Sequence, residues 1–243
     1  GVYTGVFVIY NGGIMKKTRV YDVPTRLFHW IFAGLFVGAF VIAKYVDDDS
    51  SVYPYHMLMG LTLGLTVVLR IIWGFFGSTY AKFSSYPLKP MQLVKYFKNI
   101  LTAKTDRSLG HNPASAWAAL ALMACALGSG VTGYLMASGS KETYEDIHEL
   151  FANGFLIFAI SHVAGVAFHA FRHRDGIAFS MVSGKKESIN GDAGIGRTHA
   201  GVALVFLTVV GLFVFNLNKN YDPSRRTLNL FGNTLELGES ESD

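Results

Sequence analysis

From Asp146 to Phe171 the chain reads DIHELFANGFLIFAISHVAGVAFHAF, an apolar run broken by histidines. A helix of this length spans about 30 Å of hydrocarbon, where an imidazole is costly unless something binds it. His148 and His162 are 14 residues apart. On a helix that spacing is about 21 Å of rise and about 40° from perfect alignment, so both rings leave one face, one near each membrane surface. Such an arrangement suits two haems held one above the other. Two more histidines, His29 and His56, lie inside or at the end of other apolar stretches.

Five stretches are long and apolar enough to cross a bilayer: near Leu27–Val46, Tyr55–Phe76, Ser115–Ala137, Tyr144–Phe171 and His199–Leu217. Charged residues make up 16% of the chain, against about 25% in soluble domains, and mean hydropathy is +0.32. A large soluble helical core is the alternative, but its surface helices would keep a polar face, and these runs are apolar all round. The expected fold class is therefore all-α integral membrane, with five candidate transmembrane helices, the fifth C-terminal.

Lys and Arg set the orientation. Lys16, Lys17, Arg19 and Arg26 flank the first span, and Lys82, Lys89, Lys95, Lys98, Lys104 and Arg107 fill the second-to-third link. Arg172, Arg174, Lys185, Lys186 and Arg197 follow the fourth span. The other links are acidic: Asp47–Asp49, then Glu142, Glu145 and Asp146 with Lys141. The positive-inside bias puts the N-terminus in the cytoplasm and the acidic links outside. The tail from Asn218 then lies outside, where Lys219, Arg225 and Arg226 fit the rule less well. These loops account for the pI near 9.1, and no nucleic-acid partner is implied.

Met15-Lys16-Lys17 reads as a native start preceded by extra residues, or else Gly1–Ile14 is a real segment that meets lipid or a partner. The first apolar run has no small-residue cleavage site before Asp47 and reads as a retained span rather than a signal peptide. A single cysteine, Cys125, excludes an internal disulfide, a cysteine-rich iron–sulfur site and covalent haem attachment. Any haem is held by axial ligands and packing alone.

The spans alternate in direction, which sorts the histidines by depth. His29 falls near the inner face and His56 near the outer; on the fourth span His148 is outer and His162 inner. The pairs are His29 with His162 and His56 with His148. Two imidazoles on opposite sides of one iron give a six-coordinate, low-spin haem suited to electron transfer. Gly60 and Gly64 follow His56 at four-residue steps on one helix face, either to let a macrocycle approach the backbone or to pack helices, as Gly34 and Gly38 also suggest. Arg26 and Arg70 fall beside the inner pair, where a guanidinium matches a haem propionate; a snorkelling arginine is the alternative. His169, seven residues past His162, is a weaker inner ligand. His173 reads as interfacial, His111 as a cap or turn residue or a proton-handling group near a quinone, and His199 as lacking a depth-matched partner.

The chain resembles the bacterial di-haem cytochrome b561 group, which includes the b-type cytochrome subunit of nickel–iron hydrogenases. The resemblance runs from about Arg19 to Lys186. It is carried by VYDVPTRLFHW at Val20–Trp30, RIIWGFFGSTYAKF at Arg70–Phe83, GHNP at Gly110–Pro113, IHE at Ile147–Glu149, the H-x-x-G-V that starts at His162, and MVSGKK ending at Lys186. It implies a four-helix bundle in the bacterial inner membrane, two b haems on His29, His56, His148 and His162, and electron exchange with quinone. The chain divides accordingly: residues 1–18, a cytoplasmic segment; 19–186, the di-haem domain; 187–217, a linker and fifth span; 218–243, a polar tail. His169 and the part beyond Lys186 depart from the pattern.

No nucleotide-binding glycine loop, nucleophile elbow or zinc signature is present, so no catalytic residue is assigned. The expected role is the electron-transfer subunit of an oxidoreductase complex. It would connect a periplasmic redox subunit (a c-type cytochrome, a hydrogenase or a dehydrogenase) with quinone in the lipid bilayer. Tyr221, Pro223, Leu228, Leu230 and Phe231 in the tail are a docking element or part of a disordered terminus. Two alternatives stay open: a stand-alone quinone-linked oxidase of a small substrate such as superoxide, and a haem-free transporter or scaffold. The acidic Asp47–Asp49 and Glu142–Asp146 links work against steering an anion to the outer face.

Overall fold

A computed structural model describes residues 8–10, 13–102, 109–173, 177–188 and 193–238. Most of the Gly1–Ile14 segment, Lys104, Arg107, Arg174 and the last five residues of the tail lie outside the described residues.

Seven helices are present among the described residues. α1 is Val23–Tyr45, α2 Pro54–Phe76, α3 Pro90–Leu101, α4 Pro113–Leu135, α5 Lys141–His173, α6 Ser180–Ser183 and α7 Ala200–Asn220. Their starts are written in the sequence. The Asp22 carboxylate accepts from Thr25 N–H at 2.8 Å, with Pro24 in the first turn of α1. At α4 the Asn112 side chain accepts from Ser115 N–H at 2.8 Å, followed by Pro113. Each is an N-cap with proline where a missing N–H costs nothing. In GHNP the cap is thus Asn112, and His111 is left for other contacts.

Among the described residues, four continuous stretches are long and apolar enough to cross a membrane: Val23–Tyr45, Pro54–Phe76, Pro113–Arg172 and Ala200–Asn220. The third is 60 residues long, about 90 Å if straight. It is not straight. After α4 a wide turn, Met136–Ser140, places Gly139 at φ 97°, a left-handed conformation that glycine adopts without penalty. The chain reverses there, and α5 packs back along α4. α1 packs on α2 and α2 on α4, while α7 lies against α1 and α2.

The core forms three layers. In the middle one, Phe155 stacks on Phe36 with centroids 3.8 Å apart and on Phe32 at 5.4 Å, joining α5 to α1. Phe155 stands seven residues from both His148 and His162, and Phe36 stands seven from His29, so the stack lies midway between the two histidine levels. The layer near the N-terminus joins Phe28, Leu69, Trp73, Ala81 and Phe206. The layer at the other end joins Leu58, Leu217, Leu228, Leu230, Leu235 and Leu237.

Two small antiparallel sheets, not expected from the sequence, close the ends. β1 (Val8–Tyr10), β2 (Gly13–Arg19) and β3 (Lys185–Ser188) form one, with Arg19 opposite Lys185. β4 (Tyr221–Asp222), β5 (Thr227–Leu230) and β6 (Asn233–Glu236) form the other. The tail is therefore folded, and Leu228 and Leu230 are 0% and 3% exposed, buried in the protein's own outer layer instead of available for docking. Asn233 Nδ2 donates to Tyr134 Oη at 2.9 Å, and Arg226 donates to the Asp48 and Asp49 carbonyls. These bonds tie the second sheet to the end of α4 and to the Asp47–Asp49 link.

Candidate functional site

His56, two residues into α2, and His148, in the second turn of α5, meet at the end of the bundle capped by the second sheet. Their ring centroids are 6.2 Å apart and their planes are inclined by 76°. Two metal–imidazole bonds of about 2 Å plus the half-widths of the rings span about 6 Å, so the spacing can bracket one metal. His56 Nδ1 lies 2.9 Å from Ala39 O. A carbonyl only accepts, so Nδ1 carries the proton and Nε2 keeps its lone pair. Thr132 donates its hydroxyl proton to Gly128 O at 2.7 Å. Its oxygen is then the acceptor for His148 Nδ1–H at 3.1 Å. Both rings are held through Nδ1, the outer contact that orients imidazole ligands.

His29 on α1 and His162 on α5 lie toward the opposite end, His162 14 residues along α5 from His148. His29 also meets Trp30 edge-on at 5.3 Å. Beside them, Arg70 donates through Nη2 to Ala81 O at 3.1 Å and to Tyr86 Oη at 2.7 Å. Its Nη1 is buried without a partner, as are Arg26 Nε and His111 Nδ1. His111 lies between Tyr86, 4.3 Å away, and Tyr21, 5.8 Å away. Burial first, then the nearby Lys186 and Arg70, hold its imidazole down to about 3, so it is neutral at physiological pH. Lys186 Nζ donates to Gly110 O at 2.9 Å and stands over the Tyr21 ring.

The glycines separate into two kinds. A Cβ at Gly38 would meet Met59 Sδ at 2.7 Å, so Gly38 serves helix packing. A Cβ at Gly60, Gly64 or Gly34 would meet nothing within 4 Å. Gly60 therefore offers bare backbone rather than a helix contact. His169 lies farther along α5. His199 caps α7 at φ 54°, with Nδ1 4.0 Å from Asp22 Oδ2 and its ring 5.3 Å from Trp73. That carboxylate accepts from Trp73 Nε1–H at 3.1 Å, while His199 Nδ1 itself is buried without a hydrogen-bond partner.

The description of prokaryotic cytochrome b561 matches residues 20–184. The chain belongs to this family. It is a multi-pass membrane haem protein of electron transport, a cytochrome b. The probable Ni/Fe-hydrogenase B-type cytochrome subunit of Rhizobium leguminosarum bv. viciae is 22% identical to this cytochrome b561 over 215 residues, covering 70% of this chain and 89% of that one. No solved structure matches it.

The residues present fit a b haem. It asks for imidazole ligands with free Nε2, a flat approach and cationic donors for its propionates. At one end of the bundle His56 and His148 meet the first need and bare backbone at Gly60 and Gly64 the second; at the other end, beside His29 and His162, the buried nitrogens of Arg26 and Arg70 would meet the third. Tyr21, Asp22, Trp73, Tyr86 and Lys186 escaped sequence reasoning as site residues. All but Tyr86 sit in the quoted stretches VYDVPTRLFHW, RIIWGFFGSTYAKF and MVSGKK, which converge at one end of the bundle.

Proposed function

We propose that this cytochrome b561 is a transmembrane electron-transfer subunit that links a redox partner on its acidic face to the quinone pool. Two b haems would be held, one by His56 and His148 and one by His29 and His162. The observation that carries the reading is the outer pair: two imidazoles 6.2 Å apart, each fixed through Nδ1. When bound, haem would supply reversible one-electron chemistry, with the imidazoles of each pair as the groups that would hold it.

The protein's own groups orient the ligands, exclude water and neutralise charge. Ala39 O and Thr132 Oγ1 fix the outer rings. Phe36 and Phe155 fill the layer between the two levels. Arg26 and Arg70 offer charge-assisted hydrogen bonds to propionates at the inner level. With α4 and α5 read as two passes, the chain crosses five times, from a cytoplasmic N-terminus to an outer C-terminal sheet in the bacterial inner membrane. The name of the Rhizobium relative makes a hydrogenase a natural redox partner; a dehydrogenase or a c-type cytochrome would serve equally.

A pyridine haemochrome assay with a reduced-minus-oxidised spectrum on the detergent-purified chain tests the reading. About two b haems per polypeptide are expected. One haem would reduce the proposal to a single pair, and none in reconstituted protein would overturn it.

A further inference from the structure

One helix between two spans crosses nothing. α3 is 12 residues long, about 18 Å, too short for a bilayer. It lies between the ends of α2 and α4, on the side of the bundle that carries β2 and β3. Around its axis, at about 100° per residue, the side chains form three adjacent sectors. Leu93, Tyr96 and Ile100 are half-buried where α3 packs on α4. Pro90, Val94 and Phe97 fall within about 60° of one another in the next sector. All three are exposed, Val94 by 47% and Phe97 by 52%. Lys95 and Lys98 follow in the third sector, with the exposed Met91 between them and Lys89 at the helix start, and all three lysines are exposed. The helix contains no acidic residue.

An uncovered apolar sector between a packed side and a lysine side is the pattern of a helix lying in a membrane surface. Its packing on α4 keeps α3 at that level. Its lysines are complementary to anionic headgroups and sit where their stems can reach upward from the apolar boundary. We propose that α3 is an in-plane anchor, with Val94 and Phe97 in the acyl chains and Lys89, Lys95 and Lys98 on anionic phospholipid headgroups. The proposal depends on the chain's membrane character alone and not on the haem ligands.

Nitroxide labels test it on the full chain in nanodiscs, with the buried Cys125 replaced by serine and single cysteines introduced as Val94→Cys, Phe97→Cys and Lys95→Cys. Labels at 94 and 97 are expected to collide with dissolved oxygen and be shielded from a water-soluble nickel chelate, with the reverse at 95. Equal nickel access at all three would overturn the proposal, because α3 would then stand off the bilayer. Shielding of 94 and 97 from both reagents would also overturn it, in favour of a protein covering that sector. The headgroup half is read from lipid retained after purification from mixed phosphatidylcholine and phosphatidylglycerol. Each of Lys89→Gln, Lys95→Gln and Lys98→Gln is expected to reduce phosphatidylglycerol enrichment by about fivefold. Unchanged enrichment in the triple variant would overturn that half.

Discussion

The two ends of the bundle solve the same problem in opposite ways. At the end capped by the second sheet, the outer one on the proposed topology, the histidine pair is finished: both Nδ1 atoms have acceptors, and a folded sheet covers the surrounding leucines. At the inner end the groups beside the histidines are not finished. Arg26 Nε, Arg70 Nη1 and His111 Nδ1 are buried and lack partners, and an orphan buried donor costs about 1–3 kcal/mol. The outer site is shaped by the protein alone. On the proposed reading, the inner site would be completed by something that brings acceptors, as the carboxylates of a haem would.

The sharpest way to break this comparison is to remove one ligand. His56→Ala or His148→Ala is expected to eliminate one of two b haems, halving the haemochrome yield and sparing the inner signal. Loss of both haems, or of the inner one, would show that the ends are not independent. His169→Ala is expected to leave both.

Next in size is the cap. A chain stopped after Asn220 loses Leu228 and Leu235, each 0% exposed, and uncovers Leu58 and Leu217. Leu228→Ala alone is expected to cost about 2–5 kcal/mol. In the truncated chain the outer haem is expected to become labile or reactive to carbon monoxide while the inner haem keeps its spectrum. If neither changes, the sheet is a bystander to the outer site.

How much of this was legible beforehand follows from what each feature depends on. Apolar length and Asp or Asn next to proline are local signals, so all five apolar runs emerged as helices with ends shifted by a few residues. Placing His56 and His148 at one depth needed only helical rise and alternation, and their ring centroids lie 6.2 Å apart. The sheets were missed because they pair distant segments, β2 with β3 across most of the chain, and their short strands carry no strong alternation. The cluster of Tyr21, His111 and Lys186 was hidden for the same reason: its members come from three separate links, and only the fold brings them together. The contact between His199 and the helix-cap residue Asp22 likewise joins distant segments and carries no local signal.

His111 offers a readout confined to the inner end. Its imidazole is ordinary in the unfolded chain, near 6.5, and is held to about 3 when folded. Above pH 6.5 neither state binds the proton and the residue adds no pH dependence. As pH falls below 6.5 the unfolded chain takes up a proton that the folded chain does not, so stability drops by about 1.4 kcal/mol per unit until about pH 3. His111→Gln is expected to lose less of its thermal stability between pH 7 and pH 5 than the parent, by about 2 kcal/mol. Identical pH profiles would mean that His111 is solvated.

The smallest effects should separate the two designs most cleanly. Thr132→Val keeps the shape at the outer end but removes the acceptor for His148 Nδ1–H. An orienting contact of this kind is worth about 10–100-fold in metal affinity, so the variant is expected to lose outer haem on dilution while the inner potential stays put. Arg70→Leu does the converse. It removes a cation beside the proposed propionates, which favours the ferric state, and the inner midpoint potential is expected to fall by about 60 mV if the interaction is worth about 1.4 kcal/mol. Arg70→Lys should recover part of that shift, since the charge returns without the planar fork. Because Arg70 already bonds Ala81 O and Tyr86, a purely structural role would lower the melting temperature of both variants and leave the potential where it was. A potential that moves with charge while the outer haem is unaffected is what an inner site completed by its cofactor requires.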